Sequence, residues 1–220
     1  KESMERQAQM KERELMMEAH LKEAQLKFLQ AQINPHFLFN SLNAGAQLAM
    51  MGDADKTGIF LEKMADFFRY NVRNMEDDAM LFEDVEAVDN YIYILNVRFA
   101  GDIHYEKDVD EGIGDFRIPS MILQPLVENI AKYGLNSDPP WTIVMKGYET
   151  EEKWWISVED SGTGFEETAL EQLKNKMREF DETERIPEMQ INGMGILNIY
   201  IRMVLFFGES RIFEIESRKN

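Results

Sequence analysis

Between residues 4 and 50 the chain holds one proline, Pro35, and one glycine, Gly45, in a run otherwise rich in Glu, Lys, Gln, Met, Ala and Leu. Such a run has few ways to fold other than as a helix. Leu21, Ala24, Phe28, Ala31, Leu38, Leu42, Ala46 and Ala49 recur at spacings of three, four and seven, which marks one apolar stripe. At ~1.5 Å per residue that helix would be about 70 Å long. It needs a partner helix, or a second copy of itself, to cover the stripe. "MGDAD" then breaks the pattern, with Gly52 as the stop and Asp53 or Asp55 as the cap of a second helix. Phe60, Met64, Phe67 and Phe68 form the apolar face of that helix. Two such helices make a hairpin, and hairpins from two chains would make a four-helix bundle. Val85, Val88, Ile92, Leu95 and Phe99 predict a third helix over 83–99.

After Gly101 the texture changes. "IHYEKDV", "WTIVMKG" and "KWWISVED" read as strands, "PSMILQPLVENIAKYG" and "GILNIYIRMVLFF" as helices, and "RIFEIES" as a closing strand. Trp154 and Trp155, adjacent in a strand, put one ring on each face of the sheet. The polar stretch between Phe165 and Asn192 reads as a mobile segment with one helix. The pattern predicts a helical domain over 1–100 and a mixed α/β domain over 101–220.

Charge narrows the partners. With 41 acidic and 24 basic side chains the net charge is −17, which repels phosphate backbones and argues against nucleic-acid binding. A phosphate-bearing ligand therefore needs a local cationic or metal-filled site. The absence of cysteine removes disulfides, thiolate nucleophiles and thiolate zinc sites, and fits a reducing compartment. No apolar run approaches the roughly 18–20 residues of a membrane-spanning helix. The opening "KESMERQAQMKERELMMEAH" lacks the apolar block of a signal peptide, and its abrupt entry into a helix suggests an upstream region.

One histidine stands out in "QINPHFLFNSLN". On a helical wheel His36 lies about 120° from the centre of the apolar stripe, and Asn40, Asn43 and Gln47 share its direction. A solvated polar line with a kink at Pro35 explains this. Two details favour a presented nucleophile. Phe37 also lies off the stripe, where an exposed phenylalanine is costly unless something docks on it. Asn34-Pro35 in mid-helix costs a hydrogen bond and a few kcal/mol, a strain kept where it positions something. A neutral imidazole has a nitrogen lone pair near pH 7 and can accept a phosphoryl group, provided the proton on its other nitrogen leaves.

The second half supplies three segments suited to a phosphoryl donor. "QPLVENIAKYG" puts Glu128, Asn129, Lys132 and Tyr133 on neighbouring positions of one helix as candidate cofactor-binding residues, so acid, amide and amine can converge on a magnesium-bound triphosphate. Alone, that set is also a surface salt bridge. "VEDSGTGF" ends a strand in Asp160, which can accept from an exocyclic amine such as that of adenine, and follows it with Gly162 and Gly164. A plain turn explains those glycines almost as well. "NGMGILNIYIRM" sets Gly193 and Gly195 ahead of a helix, where backbone amides cradle phosphate.

In this order the three segments resemble the GHKL, or Bergerat-fold, ATPases, with the polar stretch over 166–191 as a flexible ATP lid. Joined to "QINPHFLFNSLN", "YIYILNVRF" and "IPSMILQPLVEN", the chain from about Leu29 onward resembles the LytS-type bacterial sensor histidine kinases. The resemblance implies a homodimer whose long-helix hairpin carries the phospho-acceptor His36, followed by a Bergerat-fold α/β sandwich that binds ATP. It implies Asn129 as the Mg²⁺ ligand, with Glu128 orienting a metal-bound water or the nucleophile. Asp160 becomes the adenine reader with Gly162 and Gly164 beside it. Gly193 and Gly195 become the phosphate loop, Lys132 and Arg202 phosphate contacts, and Asn40 the holder of a water for the reverse reaction. It further implies phosphotransfer to a response-regulator aspartate in a two-component relay, from the cytoplasmic portion of an inner-membrane sensor. Two departures stand out. Tyr133 replaces the histidine usual in "ENAIKHG", and "EFDETE" makes the lid acidic. Both leave open an ATP-binding switch without kinase activity, or a coiled-coil module that has lost ATP.

Overall fold

The computed structural model describes residues 35–73, 78–135, 138–151, 153–183, 195–210 and 212–217. Residues 4–34 of the long helix expected over 4–50, part of the lid and Gly193 lie outside the described residues. The chain divides into two compact units, Lys1–Gln47 and Leu48–Asn220.

Helix α1 (Pro35–Met50) carries His36. Phe37, Ser41 and Ala44 are buried, Leu38 is half-buried, and Leu42, Ala46 and Ala49 are exposed. Phe37 is thus not the exposed ring its wheel position predicts; Phe39 is, at 65%. The chain covers a face turned from the predicted stripe, because periodicity finds apolar positions without saying which neighbour covers them. Ser41 Oγ donates to the Phe37 carbonyl at 2.8 Å, which satisfies a buried hydroxyl within the helix.

Gly52, at φ 78, turns the chain with its N–H on the Ala49 carbonyl at 3.1 Å. Asp53 then caps α2 (Ala54–Arg73): its Oδ1 accepts the Lys56 N–H at 3.0 Å, and that bond holds its carboxyl below the usual range. Strand β1 (Ala79–Met80) pairs antiparallel with β3 (Arg117–Ile118). Between them run α3 (Leu81–Arg98) and β2 (Ile103–Val109). Val85, Val88, Ile92 and Leu95 are all buried in α3, as their spacing predicts. The Phe67 ring of α2 stacks on Tyr91 of α3 at 5.5 Å between centroids.

The larger sheet has the order β2-β4-β5, with β4 (Trp141–Glu149) parallel to β2 and antiparallel to β5 (Trp154–Asp160). Ile143 and Met145 point into the core and are fully buried. Trp154 is half-buried and stacks on Phe116 at 5.5 Å, whereas Trp155 is 38% exposed under the Lys153 ammonium. Helices α4 (Leu123–Asn129), α5 (Glu167–Thr183) and α6 (Gly195–Phe207) complete the described architecture of mixed helix and sheet. Met177 and Phe180 of α5 pack against Leu197, Tyr200 and Ile201 of α6, with Phe213 alongside.

The closing strand predicted for "RIFEIES" is not present in the described residues 212–217. Its alternation is real, since Phe213 and Ile215 are half-buried and Glu214 and Glu216 exposed. The segment is instead held by side-chain packing and by Ser217 Oγ, which accepts the Phe165 N–H at 2.9 Å.

Candidate functional site

Helix α4 is too short and too poor in capping residues to start itself. A residue from α3 does so. Asp84, fully buried, accepts the N–H groups of Ile122 and Leu123 on Oδ2 at 2.8 Å each and the Tyr70 hydroxyl on Oδ1 at 2.9 Å. Burial pushes the Asp84 carboxyl up, while the two amides, Tyr70 and the Arg202 charge pull it back. Just before the helix, Met121 sits at φ 55, a left-handed conformation unusual for a residue with a Cβ. Arg202 of α6 donates to the Ser120 and Met121 carbonyls and secures that turn.

Past Asn129 the helix widens into a π turn, Ile130–Gly134, in which the Leu135 N–H reaches the Ile130 carbonyl at 3.2 Å. That widening separates the set of side chains expected to converge. Glu128 turns toward Gln124, whose Nε2 donates to its Oε1 at 2.8 Å. Lys132 instead lays its ammonium over the Tyr133 ring at 4.9 Å. Burial raises the Glu128 carboxyl above its ordinary range, and the Gln124 bond draws it down. The Asn129 amide nitrogen donates to the Pro125 carbonyl at 2.9 Å, and its Oδ1 accepts no hydrogen bond among the described residues. A hard amide oxygen is thereby left for a cation such as Mg²⁺.

Two other segments close on this helix end. Asp160, at the end of β5, accepts the Gly162 N–H on Oδ1 at 2.8 Å. A Cβ at Gly162 would lie 2.5 Å from the Gly134 carbonyl oxygen and 2.5 Å from Asp160 Oδ1, so both backbones approach as no other residue could. At the start of α6, a Cβ on Gly195 would meet Asn129 Nδ2 at 3.1 Å. The structure thus brings Asn129, Gly134, Asp160, Gly162 and Gly195 around the end of one helix. Gly164, at φ 70, leads away from Asp160 in a conformation suited to glycine. Among the described residues no cluster of three His, Cys, Asp or Glu could hold a metal ion.

His36 belongs to the other unit. It is exposed, with Asn40 Nδ2 3.0 Å from its Nε2 and 3.3 Å from its Nδ1 one turn away. Asn43 and Gln47 are exposed along the same line.

The sequence model described as histidine kinase matches residues 24–103, which include His36 and its flanking helix. The sensor protein LytS of Oceanobacillus iheyensis is 33% identical over 203 residues, 91% of this chain and 34% of the relative. Over nine-tenths of its length the chain is similar to LytS-type sensor histidine kinases. The sensor histidine kinase YesM of Bacillus subtilis is 30% identical over 198 residues, 90% of this chain and 32% of the relative. YpdA of Escherichia coli, also named a sensor histidine kinase, is 30% identical over 189 residues, 84% of this chain and 31% of the relative. The chain spans about a third of the length of these histidine kinases.

Gln124, Asn71, Asp84 and Gly134 escaped sequence reasoning. For Gln124 a signal existed, since it lies one turn before Glu128 on the same helical face. For Asp84 none did, because its partners lie 38 and 39 residues away.

Proposed function

We propose that the chain is the kinase core of a two-component sensor, moving the γ-phosphoryl group of MgATP to His36 and from there to an aspartate of a response-regulator receiver domain. The observation that carries this reading is the backbone contact of Gly162 with Gly134 beside the Asp160 carboxylate, with the uncommitted oxygen of Asn129 at the same helix end. Such a cradle suits adenine at one edge and a metal-bound triphosphate at the other. Asp160 would accept the adenine amine. Asn129 would hold Mg²⁺, which supplies charge neutralisation to the phosphates when bound. Gly193 and Gly195 would give the phosphates backbone amides, while Glu128 would orient the nucleophile.

In the transfer, a ring nitrogen of His36 forms a bond to the γ-phosphorus. The bond from that phosphorus to the β–γ bridging oxygen breaks, ADP leaves, and the ring proton passes to a base. Asn40, already at the imidazole, suits positioning of the ring or of a hydrolytic water. The exposed Phe39, Leu42, Ala46 and Ala49 fit a homodimer in which a second copy covers this face, with residues 1–100 as dimerisation and phospho-acceptor region and 101–220 as a Bergerat-type ATP-binding region. The relatives' names are those of sensors, and we read this chain as the cytoplasmic portion of an inner-membrane sensor protein. No helix among the described residues is long and apolar enough to cross a membrane.

A second reading, an ATP-binding switch without kinase activity, draws on the cations. Lys132 lies on Tyr133 and Arg202 on two carbonyls, so neither expected phosphate contact stands ready in this conformation. Calorimetry with MgATP, followed by phosphosite mapping, decides between them. Acid-labile phosphate on His36 supports the kinase; nucleotide binding without it supports the switch.

A further inference from the structure

Glu128 is held by an amide that is itself held from another helix. Asn71, near the end of α2, donates from Nδ2 to the Phe67 carbonyl at 2.8 Å and to Gln124 Oε1 at 3.3 Å. Gln124 Nε2 returns a bond to Asn71 Oδ1 at 2.9 Å and sends another to Glu128 Oε1 at 2.8 Å. Asn71 and Gln124 are 6% and 1% exposed, so water does not share in these bonds. We propose that Gln124 is a positioning residue for Glu128 and that Asn71 dictates its orientation, so that α2 acts on the phosphoryl-transfer site through two amides. This rests on the reading of Glu128 given above.

The polarity of the chain is what makes it directional. The Phe67 carbonyl can only accept, so it fixes the nitrogen side of Asn71. Asn71 Oδ1 can likewise only accept, so Gln124 must present its nitrogen there. The second N–H of that same nitrogen then faces Glu128. Flipping the Gln124 amide would set oxygen against oxygen at both ends, inside a buried site where neither clash is relieved by solvent. A backbone carbonyl of α2 therefore determines which group meets the Glu128 carboxylate. Turning or sliding the end of α2 would release Gln124 and leave Glu128 unoriented, with Asn129 and the nucleotide edge untouched.

The test uses two variants of the 220-residue chain. Gln124→Met keeps the volume and removes both N–H groups. Asn71→Ser keeps a hydroxyl able to bond the Phe67 carbonyl but too short to reach Gln124. In both, MgATP affinity by calorimetry should stay within about twofold of wild type, while the single-turnover rate of His36 phosphorylation falls about tenfold or more. The double variant should be no slower than Gln124→Met, since the two act in series. In Asn71→Ser the Gln124 side-chain amide should exchange its hydrogens faster, with the backbone amides of α4 unchanged. Should Gln124→Met bind no nucleotide through misfolding, Asn71→Ser decides by its ratio of rate to affinity. Wild-type rates in Asn71→Ser, or rate and affinity falling together, overturn the relay. A wild-type rate in Glu128→Gln, or a wild-type chain that binds ATP without forming phosphohistidine, overturns the reading beneath it first and the relay with it.

Discussion

Asp84 caps Leu123 across 39 residues: a carboxyl group of α3 accepts the first N–H of α4 at 2.8 Å. The same carboxylate takes the Ile122 N–H and the Tyr70 hydroxyl, so three buried donors depend on it. Asp84→Ala strands all three and should cost about 3 kcal/mol of stability. Urea unfolding of the variant against wild type measures the loss, and a change under about 1 kcal/mol would show that the donors find other partners.

The pH dependence of that carboxyl has a definite sign. Its folded pKa is raised above the ordinary value of 3.8, so between the two values the native state holds the proton more tightly than the unfolded chain does. The stability it contributes is present below 3.8 and is lost as pH rises through its folded value. Asp84→Asn, which cannot titrate, should flatten that part of the profile in urea unfolding performed at a series of pH values.

His36→Ala should bind MgATP as wild type does and form no acid-labile phosphoprotein. Label that persists unchanged in the variant would place the acceptor elsewhere.

Glycine substitutions separate close approach from mere flexibility. Gly162→Ala places a Cβ 2.5 Å from the Gly134 carbonyl oxygen, so it should cost about 2 kcal/mol and weaken ATP binding tenfold or more. Gly58→Ala, in α2 with nothing within 4 Å, should stabilise by about 0.5–1 kcal/mol and leave ATP binding alone. Thermal unfolding and calorimetry on the pair read both effects.

Asp160→Asn keeps the shape and removes the charge that would receive an exocyclic amine. ATP should bind about ten- to thirtyfold more weakly, the worth of one charge-assisted hydrogen bond, in calorimetric titration. Unaltered affinity would remove Asp160 from the adenine edge.

What the sequence made legible was local. Val85, Val88, Ile92 and Leu95 state a helix and its buried face by themselves, and "WTIVMKG" and "KWWISVED" state two strands. The site failed to read where one extra residue per turn changed the geometry. Glu128 and Lys132, four apart, would meet on a regular helix; Glu128 instead keeps its neighbour one turn back, Gln124, while Lys132, within the π turn, lies on Tyr133. Partnerships across long stretches were beyond any periodicity, as with Asn71 and Gln124, which are 53 residues apart. On α1 the pattern found the apolar residues, yet among the described residues Leu42, Ala46 and Ala49 of that stripe are exposed while Phe37 off it is buried, because periodicity does not say which neighbour covers a face.

The wide turn at Ile130–Gly134 can be thought of as an insertion the helix has swallowed rather than expelled as a loop. Forcing these residues into regular winding without removing one would swing everything after them about the helix axis. Gly134 would then leave the underside of Asp160, so a change that makes the helix more ideal should weaken the nucleotide binding proposed for that helix end.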